Sequence, residues 1–428
     1  MNLAGVLAAV TVLILLIYKR VSLIPAALIS ALILALTNDI GYTELVMEHY
    51  AFSLADFIRK YFMVFVTNAL FGKIMEETLL AATFSKMIGK IFGDRGAVYG
   101  AMLATALLSY GGVSVFVIVF TVYPIFLVTF QKADLPGKYI PACIMASSCT
   151  FPLSMLPGGA QLNNIIPGQY MGTSPMAAFP VGIVCSLFCA AFLYLYFRWE
   201  FAGARKRGEH FAADERILEK IRRFERDGGI VPWLSALPLI LIILLINGFG
   251  MDLSYAVLCA CGLALVIGWK NIPNKLKVIN DGVKNVGGAM VTTAASVGFG
   301  GAVLACSGAE IILDAIASLP FHPAVLLAIA SSFAGLLTGN GGGGCDVAMS
   351  LLSGQYLEMG VDPQLLHRAA AIATAAFSCL PHNGMLITIM GTCGYTAGQS
   401  YKYIFISTVL NGALCLALAA AMGIVLYG

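Results

Sequence analysis

Long apolar runs set the terms on which this chain can fold. Leu3–Tyr18, Leu239–Ile246 and Ile404–Tyr427 belong to a series that continues along the whole length, separated by short polar breaks. Sixteen charged side chains crowd into residues 198–228, and elsewhere fewer than one residue in ten is charged. A soluble domain carries roughly 25% charged residues, so this sequence cannot cover itself with a soluble surface. The runs are continuously apolar instead of alternating. That excludes a β-barrel and predicts an all-α polytopic membrane protein.

The formal charge of +3 reflects topology and does not call for nucleic acid. Eleven cysteines, an odd number, lie almost all inside apolar runs, as with Cys143, Cys149, Cys185, Cys189 and Cys415. They read as small helix-packing residues, not as a disulfide framework. Cys259 and Cys261 offer half a metal motif with no second Cys/His pair nearby, so neither a metal nor another cofactor is expected.

Basic residues flank membrane helices on the cytoplasmic side. Lys19-Arg20 place the first loop inside and the N-terminus outside. The loop 38–56 then falls outside, and a third span over 57–72 leads inward to Lys73, Lys86, Lys90 and Arg95. Segments 131–138, 198–230 and 269–284 are cytoplasmic, and the C-terminus is outside. Under this threading only Arg59, Lys60 and Arg368 lie near the outer face. An inner (plasma) membrane location is expected.

The charged linker 198–230 divides the chain into halves, 1–197 and 231–428, that echo each other. Leu156-Pro-Gly-Gly-Ala-Gln-Leu-Asn-Asn-Ile165 in the first half matches Leu380-Pro-His-Asn-Gly-Met-Leu-Ile-Thr-Ile389 in the second. Each is preceded by a Gly-rich break, Ser109–Ser114 and Thr338–Asp346. The first half begins outside and the second inside, so the halves are expected to be inverted repeats, as in many secondary transporters.

Length arithmetic picks out the special elements. The arms around the Gly breaks are short of the ~20 residues a span needs, so 97–130 and 323–357 are expected as re-entrant hairpins. Segments 139–172 and 367–398 are too long for one span and carry Leu-Pro pairs. They are expected as helices broken at 156–164 and 380–388. Four consecutive glycines, Gly341–Gly344, do not suit a packed helix, because each costs up to ~1 kcal/mol relative to Ala. They predict unwound backbone lining a cavity.

Hairpin tips and helix breaks present helix N-termini, which favour an anion without an arginine, and no Arg or Lys occupies any of the four breaks. The candidate substrate-binding residues are Ser109, Gly111, Gly112, Ser114, Gly158, Gly159, Asn163, Asn164, Thr338, Asn340, Gly341, Gly342, Asn383, Gly384 and Thr388. Hydroxyls, amides and exposed N–H groups of this kind suit a hydroxylated carboxylate. Ser147 and Ser148 divide evenly between substrate contact and helix–helix bonding. Two ionisable groups, Asp346 and His382, are candidates for carrying a coupling proton. Asp346 could instead cap the second hairpin arm. The linker stretch 213–226 has the spacing of an amphipathic surface helix.

With these elements placed, the chain resembles the gluconate permease (GntP-type) family of the ion transporter superfamily. The resemblance rests on Leu380-Pro-His-Asn-Gly384 followed by Gly398-Gln-Ser-Tyr-Lys402, and on Gly72-Lys-Ile-Met-Glu-Glu77 with Gly89-Lys-Ile-Phe-Gly-Asp94. It implies a proton-driven symporter for sugar acids or related small carboxylates. It also implies a dimerising scaffold domain and a transport domain that moves as an elevator. Phe151–Ala160 and Gly341–Asp346 depart from the gluconate pattern, which leaves a short hydroxy- or keto-carboxylate open. Sodium coupling is the alternative within the class. An intramembrane enzyme using His382 and Asp346, or a channel, is a rival from outside it, but no nucleophile motif is present and no catalytic residue is assigned.

Overall fold

The computed structural model describes residues 2–427 except 20, 114, 225–228, 285, 308–310, 312–314, 317, 339–340, 378 and 381–382. All regular structure among the described residues is helical. The first half opens with α1 (Asn2–Tyr18) and α2 (Leu23–Asn38). A π turn (Leu45–Ala51) then leads into α3 (Phe52–Glu77). α4 (Leu80–Tyr110) and α5 (Val115–Ala133) form a hairpin, α6 (Ile140–Cys149) and α7 (Leu162–Met171) a broken helix, and α8 (Phe179–Lys206) closes the half.

The chain continues after α9 (Glu215–Phe224). It runs through α10 (Leu237–Phe249), α11 (Leu253–Ile267), α12 (Lys275–Lys284) and α13 (Val286–Leu304) to a hairpin of α14 (Pro323–Thr338) and α15 (Gly341–Glu358). A second broken pair follows, α16 (Pro363–Phe377) and α17 (Gly384–Cys393). α18 (Ala397–Ile404) then continues through a π turn (Phe405–Leu410) into α19 (Asn411–Tyr427).

Among the described residues, Phe179–Lys206, Pro232–Phe249 and Ala397–Tyr427 are each long and apolar enough to cross a membrane. Their outward side chains fit lipid: Leu195 and Trp199 on α8 are 61% and 70% exposed, and Val425 on α19 is 82% exposed. Contiguous apolar surface on this scale is an interaction surface, here for the bilayer.

The halves interlock. α3 packs against α11, α12 and α13; α7 packs against α15 and α16; α8 packs against α19. Small residues permit the close approach. A Cβ on Gly412 would sit 2.8 Å from the Ala376 Cα. The Cys185 thiol reaches the Cys415 carbonyl at 3.6 Å, and the Asn411 amide reaches the Cys189 sulfur at 3.1 Å. All eleven cysteines are free thiols, and ten of them are buried.

Several expected boundaries move. The first hairpin arm is not a short segment from 97, because α4 is continuous from Leu80 through 31 residues. The expected outer loop 38–56 is helical from Tyr42 onward. The first break opens earlier, at Thr150 (φ −110°, ψ −114°), and α7 resumes at Leu162, so Asn163 and Asn164 are helical. Pro152 is the reason: it has no N–H to give, and its ring clashes with the carbonyl four residues back. The second broken helix begins at Pro363, not 367.

The charged segment folds back on the bundle. α9 packs on α5 and buries Ile221. Residues 207–211 strap across the turn after α5. His210 Nδ1 lies 2.7 Å from Asp134, and the Phe211 N–H donates to the same carboxylate at 3.1 Å. Lys138 pairs with Glu209 at 2.9 Å, and the Arg207 guanidinium donates to the Tyr139 hydroxyl at 2.9 Å. The bond from His210 holds the Asp134 carboxyl below its usual range, and the bond from Lys138 does the same for Glu209. Depressed carboxylates stabilise above their unfolded values, ~4, and the contribution is lost as pH falls through the folded values. Exchange protection at the Phe211 amide should therefore persist from neutral pH down to ~4 and vanish below. Loss already in the mildly acidic range would contradict the strap.

Candidate functional site

The first hairpin tip and the first break are built against each other. Gly112, at φ 91°, makes the turn after α4. The Gln161 side-chain amide donates to the Ser109 carbonyl and, at 3.3 Å, to the Val113 carbonyl. The Ser109 hydroxyl donates to the Ser148 carbonyl at 2.8 Å, and the Tyr110 hydroxyl to the Pro157 carbonyl at 2.7 Å. Gly158, at φ 78°, gives its N–H to Pro175 at 2.9 Å and receives the Asn247 amide at 3.1 Å. The Asn164 amide donates to the Gly159 carbonyl at 3.0 Å. Ser109, Gly112, Gly158, Gly159 and Asn164 therefore come together, each engaged with protein.

The two breaks adjoin. Cys149, the last residue of α6, lies 3.2 Å from the Met385 sulfur in the first turn of α17. The Asn163 amide donates to the Thr374 hydroxyl on α16 at 2.7 Å. Asn383 caps α17, its side-chain oxygen accepting from Met385 N at 2.7 Å and Leu386 N at 3.2 Å. Such a cap contributes about 1 kcal/mol. Gly384 starts that helix and Thr388 lies one turn further on. Ser147 and Ser148 both bond back into their own helix, to Cys143 and Ile144 at 2.5 and 2.6 Å.

The second hairpin corrects the reading of its glycines. Gly341–Gly344 are not unwound; they form the first turn of α15 and are buried. A Cβ on Gly344 would collide with the Gly335 backbone on α14, so close packing of the two arms demands glycine at this point. Gly341 and Gly342 lie at the start of the same turn, and Gly111 sits in the turn after α4. Thr338 ends α14. Ser114, Asn340 and His382 lie outside the described residues.

Asp346 is not a cap. It sits in the second turn of α15 and is 5% exposed. The Tyr61 hydroxyl from α3 donates to its Oδ1 at 2.8 Å, and the Tyr170 hydroxyl from α7 donates to the same oxygen at 2.9 Å. Among the described residues no cation stands within ion-pair distance of it; the Lys60 ammonium reaches Tyr170, at 3.4 Å, instead.

Sequence reasoning missed the residues that grip the first break from the second half. Arg368, expected near the outer face, is wholly buried in α16. Its Nε and Nη2 donate to the Ala177 carbonyl at 3.0 and 2.7 Å, and Nη2 also to Pro175 at 2.9 Å. Nη1 reaches Met155 at 3.3 Å and the Asn164 oxygen at 2.9 Å. Beside it, buried His367 lies 2.7 Å from the Thr173 hydroxyl and 3.3 Å from the Asn164 oxygen. The expectation of breaks free of basic side chains is thus overturned in space. A His-Arg pair opening an apolar run was the available signal, since ionisable residues at membrane depth default to function.

A helical bundle with outward apolar side chains and broken helices, with buried His367 and Arg368 beside the first break, is a multi-pass membrane protein of a build found among transporters. No family model matches the chain. It is 31% identical, over 469 aligned residues covering 98% of both proteins, to a Bacillus subtilis (strain 168) protein named uncharacterized transporter YxjC, and it belongs to that transporter's family. The fold is shared with the YdaH transporter of Alcanivorax borkumensis, at TM-score 0.56 and 14% identity over 90% of this chain and 87% of that one. It is also shared with Neisseria gonorrhoeae MtrF, described with a class of antimetabolite efflux pumps, at TM-score 0.53 and 12% identity over 89% and 84%. At these identities the two structures speak to fold alone. The relative's name points to a transporter and away from an intramembrane enzyme.

Proposed function

We propose that this transporter is a secondary active carrier that moves a small organic anion together with a proton, and that Asp346 carries the proton. Asp346 itself is the observation behind this reading: a buried carboxylate held by two hydroxyl donors on one oxygen. Ionised, it accepts both bonds; protonated on the shared oxygen, it donates to one hydroxyl and still accepts from the other. The site can thus change charge without leaving a partner unsatisfied, which a coupling group requires. An anionic substrate is supported by Arg368, which places a positive charge beside the first break with neutral oxygens as its hydrogen-bond acceptors. A sugar acid or a short hydroxy- or keto-carboxylate is the class implied by the gluconate permease resemblance.

The repeated succession of long helix, hairpin, broken helix and closing helix supports inverted repeats and alternating access. An elevator-type motion within a homodimer in the inner membrane completes the proposal.

The test uses purified protein in liposomes and a panel of labelled small carboxylates. Each pH unit across the membrane supplies ~1.4 kcal/mol per proton, so uptake should rise with an imposed proton gradient. Asp346→Asn should abolish the response to the gradient while leaving counterflow exchange. Uptake driven by sodium and indifferent to pH would replace the proton with Na+. Acceptance of cationic or neutral solutes and of no carboxylate would overturn the anion.

A further inference from the structure

We propose that Tyr170 and Lys60 form the path by which protons reach Asp346 from solvent, while Tyr61 only positions the carboxylate. This rests on the reading of Asp346 as the coupling group. The two tyrosines hold the same oxygen but differ in what stands behind them. Tyr61, 1% exposed, has the Gln169 side-chain oxygen as its other contact, at 3.3 Å. That is an acceptor, so among the described residues the Tyr61 hydroxyl has no donor from which its proton could be replaced.

Tyr170 is half-buried and has Lys60 behind it. The Lys60 ammonium donates to its hydroxyl oxygen at 3.4 Å and to Asp56 at 3.0 Å, with a third of the lysine side chain exposed. Because Lys60 has no acceptor capacity when charged, it fixes the polarity of the chain: Lys60 donates to Tyr170, and Tyr170 donates to Asp346.

One transfer balances as follows. An N–H bond of Lys60 breaks as an O–H bond forms on Tyr170. The original Tyr170 O–H bond breaks as an O–H bond forms on Asp346. Tyr170 ends with one O–H bond as it began, Asp346 is neutral, and the neutral Lys60 amine takes a proton from hydronium in the acidified solvent, leaving water. Ordinary lysine and aspartate values differ by about 6 pK units, so the neutral lysine is a fleeting species that solvent refills.

The charged and titratable side chains facing Asp346 among the described residues are few. Tyr61 and Lys60 come from α3, Tyr170 from α7, and Cys345 is its neighbour on α15. α13 and α14, which also pack on α15, contain no ionisable residue. α16 brings His367 and Arg368, both turned to Asn164 and the first break.

The experiment follows the infrared carbonyl band of a protonated carboxyl after a rapid pH drop, using the full chain in lipid with protons as the sole probe. Wild type should show a band that Asp346→Asn lacks. In Tyr170→Phe and Lys60→Met the band should reach full amplitude but appear at least tenfold more slowly, a barrier ~1.4 kcal/mol higher. Tyr61→Phe should shift the midpoint and leave the rate near wild type. Full amplitude certifies that each variant is folded. A band that rises equally fast in Tyr170→Phe and Lys60→Met overturns the path but not the role of Asp346. The absence of any titrating band dependent on Asp346 overturns the coupling role itself.

Discussion

Arg368→Met should cost about 3–5 kcal/mol of stability, because it leaves several buried oxygen acceptors without their donor at once. A typical domain holds only ~5–15 kcal/mol in total. The guanidinium serves the carbonyls of Met155, Pro175 and Ala177 and the Asn164 oxygen. Each acceptor left unmet in a dry interior costs about 1–3 kcal/mol. Methionine replaces the volume and none of the donors. Melting followed in detergent should fall steeply, and the protein should lose monodispersity. Arg368→Lys should recover part of the loss, because an ammonium offers three donors without the planar fork. A methionine variant that melts with wild type would mean these carbonyls find other partners and that the guanidinium does not organise the first break.

The second large effect concerns the hairpin. Gly344→Ala places a methyl group into the Gly335 backbone, where no side chain can rotate away. About 3 kcal/mol is expected, the upper end of the range for overpacking, because two helix axes must separate. Gly354 on the same helix supplies the control, since nothing lies within 4 Å of a Cβ built there. Gly354→Ala should be neutral or stabilising by up to ~1 kcal/mol through helix propensity. Opposite signs for one substitution type on one helix, read by thermal unfolding, isolate packing from propensity. Equal effects would refute the close-contact account.

What could be read from the sequence was whatever local chemistry encodes. Prolines and glycine runs announced where helices stop, because each acts on its own few residues, whereas segment length misjudged the first hairpin arm, which runs 31 residues. Asp346 was legible as a lone acid beside a glycine run in an apolar stretch. Its partners were not: Tyr61 and Tyr170 lie 285 and 176 residues away, and neither has a sequence feature that sets it apart from other tyrosines. Arg368 was visible but its burial and partners were not, since charge counting assigns a side of the membrane and cannot say where a long side chain reaches. The glycine run was misread for a different reason. Propensity treats a helix as isolated, and in the bundle a neighbouring backbone rewards the residue that propensity penalises.

Arg368 also has a mechanical consequence. Five donors on one side chain of α16 are riveted to the chain between Met155 and Ala177, and Asn163 adds a further link to Thr374. One broken helix therefore cannot slide past the other without shearing this rivet in a dry interior. Any displacement that serves the transport cycle must carry both broken helices as a single slab, with slippage confined to seams held by fewer bonds.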